Sequence, residues 1–251
     1  MKRIVPALLL LALGAGQEEA AVKLVLDVTQ SLTEREGAVK TLARTRSGAD
    51  RLFSLAEQSK LPQELRATAV FALAESPDPE VRKKAEVSLP RPKSKDGTPL
   101  PPIAELTGLK GDSKNGAKVY RRPEGPNCIG CHQVGDEGRQ VGPPLNTVGT
   151  KLGREQLYES ILTPSAGILM SYENWVVQTK DGDVKTGIKV EDTDDHVTLK
   201  DSNGEYLDIP VAKIAAKKML SMSMMPDDLT KTMTVQELVD VVEYLSTLRA
   251  Q

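Results

Sequence analysis

At 251 residues the chain has room for one or two domains. Charged residues make up 27% and the formal net charge is −2, so nothing electrostatic recommends a nucleic-acid partner. Aromatic residues amount to 3%, which leaves no large stacking surface.

The first stretch, 1–16, reads as an export signal. Lys2 and Arg3 precede a short apolar run from Ile4 to Leu13, and the small residues Gly14, Ala15 and Gly16 follow. The run is too short to span a bilayer comfortably. The expectation is a periplasmic or otherwise exported protein with no transmembrane segment after signal cleavage.

Residues 17–89 read as helical throughout. Thr33 with Glu36 fits a capping box ahead of Ala38, Val39, Leu42 and Ala43. Ser47-Gly48 predicts a break, with a second helix from about Ala49 to Gln58. Pro62 suits the first turn of a third helix. Pro77 and Pro79 punctuate before a fourth, which carries Val81, Ala85 and Leu89. Paired short helices with alanine-rich faces predict a HEAT-like segment. Residues 90–103 hold five prolines among Lys and Asp and predict a stiff, polar, extended linker.

From 104 to 251 the pattern is that of a further helical domain. A helix is predicted from about Ser113 to Arg121, with Gly116 and Tyr120 on it. Then comes the stretch Asn127-Cys128-Ile129-Gly130-Cys131-His132, which holds the chain's two cysteines. Cys-x-x-Cys-His is the spacing of c-type haem attachment. In a helical turn both thiols lie on one face, where each can add to a haem vinyl group. His132, four residues after Cys128, projects from the same face toward the iron. Other readings of the pair are a thioredoxin-like redox couple, half of a zinc site, or a small-loop disulfide. The first lacks a βαβ context, and the second lacks ligands beyond His132 and His196.

Gly142-Pro143-Pro144-Leu145 follows as a turn, and a helix is predicted over 153–162 with Leu157 and Ile161 inward. Over 172–214 the periodicity changes to alternation, with Asp181-Gly182 and Asn203-Gly204 as hairpin turns. A four-stranded meander or small barrel is expected there, with His196 exposed at a turn beside Asp194 and Asp195. Met219, Met222, Met224 and Met225 form a methionine cluster before the last helix. That helix opens with Thr234 and Glu237 as a capping box. Iron bound by one histidine keeps a second axial position, and a thioether there raises the potential and blocks small ligands. Met225, Met224 and Met222 are the candidates, with Met170 more remote.

These motifs together resemble the planctomycete-type haem-binding domain, a c-type cytochrome family. The resemblance rests on the Cys-x-x-Cys-His stretch, Val141 to Leu145, Glu159-Ser160-Ile161-Leu162-Thr163-Pro164-Ser165-Ala166, Tyr172-Glu173, Met225-Pro226 and the helix from Glu237 to Leu248. It covers about 110–249 and implies a mainly α chain: a cytochrome c fold with a small β insertion, preceded by the HEAT-like segment. It further implies one covalent haem c, with Cys128 and Cys131 as thioethers and His132 as proximal ligand. Pro143 would offer its carbonyl to the histidine, and Met225, ahead of the rigid Pro226, becomes the first choice as distal ligand. In mono-haem cytochromes c a glycine lets the first and last helices cross, a role that Gly116 and Tyr120 against Tyr244 and Leu245 would fill.

The function so implied is electron carriage between a periplasmic dehydrogenase and a downstream acceptor, both separate redox partner proteins. No acid–base residue is required for that, and none is evident. The alternative is a haem enzyme or a gas or redox sensor with an open sixth position. A peroxidase of that kind would want a distal acid–base group, and His196 is the sole histidine left to supply it.

Overall fold

The computed structural model describes residues 15–249. The export signal expected over 1–16 lies outside them except for its last two residues, which open the first helix. Five helices come first: α1 (Ala15–Leu26), α2 (Leu32–Leu42), α3 (Arg46–Glu57), α4 (Gln63–Ala74) and α5 (Pro79–Ser88). Their apolar stripes meet in one core built on Val25, Leu42, Leu52, Leu65, Leu73 and Val81, all under 4% exposed. Arg35 is buried in it, donating to the Val25 carbonyl at the end of α1 and pairing with Glu64. A cation there meets the negative end of the helix dipole.

The sequence misplaces two helix starts in this region. The capping box of α2 is Ser31 with Glu34, not Thr33 with Glu36. Beginning two residues earlier turns Glu36 inward, where it accepts from the Thr68 hydroxyl. Burial raises the Glu36 carboxyl above its ordinary range, opposed by that hydrogen bond. Ser47-Gly48 does not break the chain but sits in the first turn of α3, capped by Thr45. Gly48 is needed there because a Cβ would come within 2.4 Å of the Leu42 carbonyl oxygen.

The proline-rich stretch 90–103 is likewise no free spacer. Lys93 and Pro99 pair across a tight turn at Gly97, Leu100 is fully buried, and Lys95 N–H donates to the Met233 carbonyl. Prolines deny it helix, so its backbone groups pair across its own turn, Ser94 N–H with the Thr98 carbonyl and Leu100 N–H with the Pro92 carbonyl, while Lys95 ties it to Met233.

Helices α6 (Ile103–Gly108), α7 (Ser113–Arg121), α8 (Val148–Lys151), α9 (Arg154–Leu162) and α10 (Val235–Thr247) build the second core. The pivotal contact is the crossing of α7 over α10. A Cβ on Gly116 would lie 1.9 Å from the Asp240 carbonyl oxygen and 2.9 Å from Tyr244 Cβ, so only glycine allows it. Tyr120 and Tyr244 then meet edge to face, centroids 5.6 Å apart. Asp240, 2% exposed, accepts from Asp112 N–H and Asn115 Nδ2 at the start of α7. Phe71 of α4 belongs to this second core, and Lys40 of α2 pairs with Glu159 of α9.

Between α9 and α10 the chain forms β1 (Asn174–Thr179), β2 (Val184–Asp192), β3 (His196–Lys200), β4 (Tyr206–Pro210) and β5 (Ile214–Met219). All pairings are antiparallel, in the order β4-β3-β2-β1-β5. The sequence predicts four strands ending near 214. The fifth pairs with β1, so the sheet is not a simple meander. β5 escapes a sequence reading because only Ile214 is half-buried and the rest is exposed, which erases alternation. Gly182 (φ +95°) and Gly204 (φ +81°) supply the left-handed residues of the two expected turns.

Candidate haem site

The cysteine–histidine stretch forms one short 3₁₀ turn, Cys128–Gly130, just after α7. Asn127 enters it in the left-handed region, φ 45° and ψ 45°, which asparagine tolerates better than most residues. The Cys128 carbonyl accepts from Cys131 N–H at 3.1 Å and His132 N–H at 2.8 Å. That winding carries Cys128, Cys131 and His132 on one coil, as the spacing predicts.

The following loop folds back over this coil. Arg139 N–H donates to the Ile129 carbonyl, Val141 and Gly142 N–H both donate to the Cys131 carbonyl, and Leu145 N–H donates to the Gln133 carbonyl. The fold-back places Pro143 O 2.8 Å from His132 Nδ1. A carbonyl can only accept, so Nδ1 carries the proton and the neutral ring keeps its lone pair on Nε2. Burial lowers the pKa of His132, opposed by the bond to Pro143, so the neutral ring is favoured. Gly142 lies flat against the ring; a Cβ there would be 2.5 Å from His132 Cε1. Tyr120 Oη donates to the His132 carbonyl at 2.9 Å, tying the site to the α7–α10 crossing.

Cys128 and Cys131 are free thiols. Burial pushes Cys128 up to about 12 and also raises Cys131, where the nearby Arg139 opposes it. Cys128, Ile129, Val134, Leu145, Leu152 and Met225 all pack on the second core yet remain partly open. An apolar rim of this kind, beside two thiols and an unengaged imidazole nitrogen, fits a flat apolar macrocycle held covalently at one edge.

The methionines separate by environment. Met225 is half-buried on the second core, its N–H held by Ser223 Oγ, and Ser223 N–H is held by Ser165 Oγ. Met224 is also half-buried. Met222 is 48% exposed and lines a small cleft against Gln63 and Ala67 of α4 and Pro164. Met219 and Met170 are more than half exposed. His196 stands apart on β3, hydrogen-bonded to Thr193 and Glu191 rather than brought to the site.

Several contributors are not visible in sequence reasoning. Tyr120 is expected only as a packing residue, and Gly142 only as part of a turn. Gly138 (φ +97°) approaches His132 so closely that a Cβ would lie 2.4 Å from its carbonyl oxygen. The one available signal is the recurrence of glycine at 135, 138 and 142 beside a histidine, a mark of close backbone approach.

Residues 113–199 match the family model described as Cytochrome c. The match supports a c-type cytochrome, which is a haem-binding electron-transfer protein, over that part of the chain. It begins at the first residue of α7, includes the cysteine–histidine coil and the Pro143 loop, and ends at β3. No curated protein matches the chain.

Proposed function

We propose that this protein is an exported mono-haem electron carrier, with haem c joined to Cys128 and Cys131 and ligated by His132 and Met225. The observation that carries the reading is the 2.8 Å contact between His132 Nδ1 and the Pro143 carbonyl, made on the same coil that presents both thiols. The group, when bound, supplies a one-electron iron centre. The protein's part is to hold it. Cys128 and Cys131 fix one edge. His132 donates from Nε2, its tautomer and orientation set by Pro143 and its plane by Gly142. A thioether from Met225 completes a site that excludes small ligands and changes little between oxidation states. A carrier needs no group that moves a proton, and His196 is too occupied with Thr193 and Glu191 to serve as one. A periplasmic dehydrogenase as donor and a separate acceptor follow from this role, as does placement outside the cytoplasm, where thioether attachment takes place.

The direct test is attachment. The chain made with a c-type maturation system should retain one haem after denaturation and acid–organic extraction. Cys128→Ala with Cys131→Ala should lose it while the fold persists. Haem that extracts from the parent would defeat the reading.

A further inference from the structure

The β3–β4 hairpin bears on the stretch that holds the proximal histidine. Lys200 Nζ donates to the Gln140 carbonyl at 2.8 Å, and Arg139 Nη1 donates to the Asn203 carbonyl at 2.8 Å. Between them, Gly204 brings the turn close enough that a Cβ on it would be 3.5 Å from Val141 Cγ2. These contacts fall on three consecutive residues, 139–141. The next two are Gly142, against the imidazole, and Pro143, which accepts the Nδ1 proton.

Strand register explains how the hairpin reaches there. Lys200 pairs with Ile188 and Tyr206, so it leaves the sheet on the face opposite Val197 and Leu199, which face the small core of the insertion. Its ammonium lies 5.2 Å from the Tyr206 ring centroid, which steadies it beside the Gln140 carbonyl. The loop has little freedom to absorb a displacement. Val141 and Gly142 both hang on the Cys131 carbonyl, and Gln140 Nε2 donates to Gln133 Oε1. A shift at 139–141 is therefore passed to the coil and to the Pro143 carbonyl together. Both hairpin contacts use charged donors, and both are exposed to solvent, so each is a modest hydrogen bond.

We propose that the β insertion is a clamp on the proximal loop, with Lys200 and Arg139 as positioning residues that keep the Pro143 carbonyl on His132 Nδ1. The proposal rests on the haem-carrier reading for its consequence, since a rigid proximal ligand is what a carrier needs. It does not rest on that reading for its geometry. A spacer between two helices has no call for polar contacts to this one loop.

The measurement is hydrogen exchange of the His132 Nδ1–H, followed by nitrogen-15 NMR in the full chain produced with a maturation system. Lys200→Met combined with Arg139→Met should speed exchange about tenfold, in line with the loss of two modest hydrogen bonds. Lys200→Met alone should move it the same way by less, so the test survives a double variant that fails to fold. Lys200→Arg with Arg139→Lys, which keeps both donors, should restore protection. Exchange within about twofold of the parent in the Met variants would overturn the clamp, because even one lost hydrogen bond should exceed that. Haem content read in the same samples separates the two claims. A parent without covalent haem contradicts the carrier reading, whereas unchanged exchange contradicts the clamp at any haem content.

Discussion

At the residue scale the site turns on one proton and one sulfur. The proton on His132 Nδ1 is fixed by a carbonyl, which frees Nε2 as a donor. The proposal of Met225 over Met222 rests on packing. Met225 lies on the core that also holds Cys128, while Met222 is turned to the cleft beside α4. On the proposed ligation, Met225→Ala should lower the reduction potential and let the ferrous protein bind carbon monoxide, because a thioether that favours ferrous iron would be lost. Met222→Ala should leave both unchanged. Redox titration of the two variants checks this, and the opposite pattern would move the ligand to Met222. What the sequence makes legible here is the coil itself, since the Cys-x-x-Cys-His spacing leaves few alternatives for what Cys128, Cys131 and His132 would do together. Gly142 and Gly138 were less legible. Their role is to have no side chain beside His132, and only the folded loop shows what the side chain would strike.

At the element scale the crossing of α7 and α10 does most to place the coil. Gly116→Ala should gain up to about 1 kcal/mol of helix propensity. It must also force a Cβ into the Asp240 carbonyl, and overpacking of that kind costs about 1–3 kcal/mol, more against backbone than against a flexible side chain. Net destabilisation is expected, read as a lower urea midpoint with loss of the Tyr120–His132 contact. One end of the crossing is expected to respond to pH. Arg122, just past α7, pairs with Glu237, the capping-box residue of α10. That guanidinium holds the Glu237 carboxyl below its ordinary value of about 4.5. A depressed carboxylate adds stability above its unfolded value and loses it as pH falls through the folded one. Glu237→Gln should thus be less stable than the parent at neutral pH, with the gap closing on acidification. Urea midpoints across that range measure it, and a constant gap would contradict the linkage. Helix existence was legible from capping and periodicity, and α7 and α10 lie where the sequence puts them. Starts were less so: Ser31 and Thr33 each head a Ser/Thr-x-x-Glu pattern, and tertiary burial of Glu36 decides between them.

At the scale of the whole molecule the helical segment and the cytochrome-like domain share material. Phe71, 4% exposed, crosses from α4 into the second core, and Ile103 N–H at the start of α6 donates to Glu75. The proline-rich stretch between them is pinned rather than extended. Phe71→Ala should cost about 3–5 kcal/mol, the usual range for a buried aromatic, and lower the melting of both helical layers together. Two separated calorimetric transitions in the parent would contradict such coupling. This integration is the least legible feature in the sequence, because each segment has a sufficient apolar pattern of its own and the shared residue is one phenylalanine among many helix positions. Among the described residues no helix is long and apolar enough to cross a membrane. The central claim is a closed histidine–methionine haem, and its most direct test is the visible spectrum of the matured protein, ferric and ferrous, with and without carbon monoxide. A low-spin ferric spectrum with the weak far-red methionine–iron band, unmoved by carbon monoxide after reduction, is the predicted result. A high-spin spectrum that shifts on carbon monoxide would mean an open sixth position and would contradict the carrier assignment.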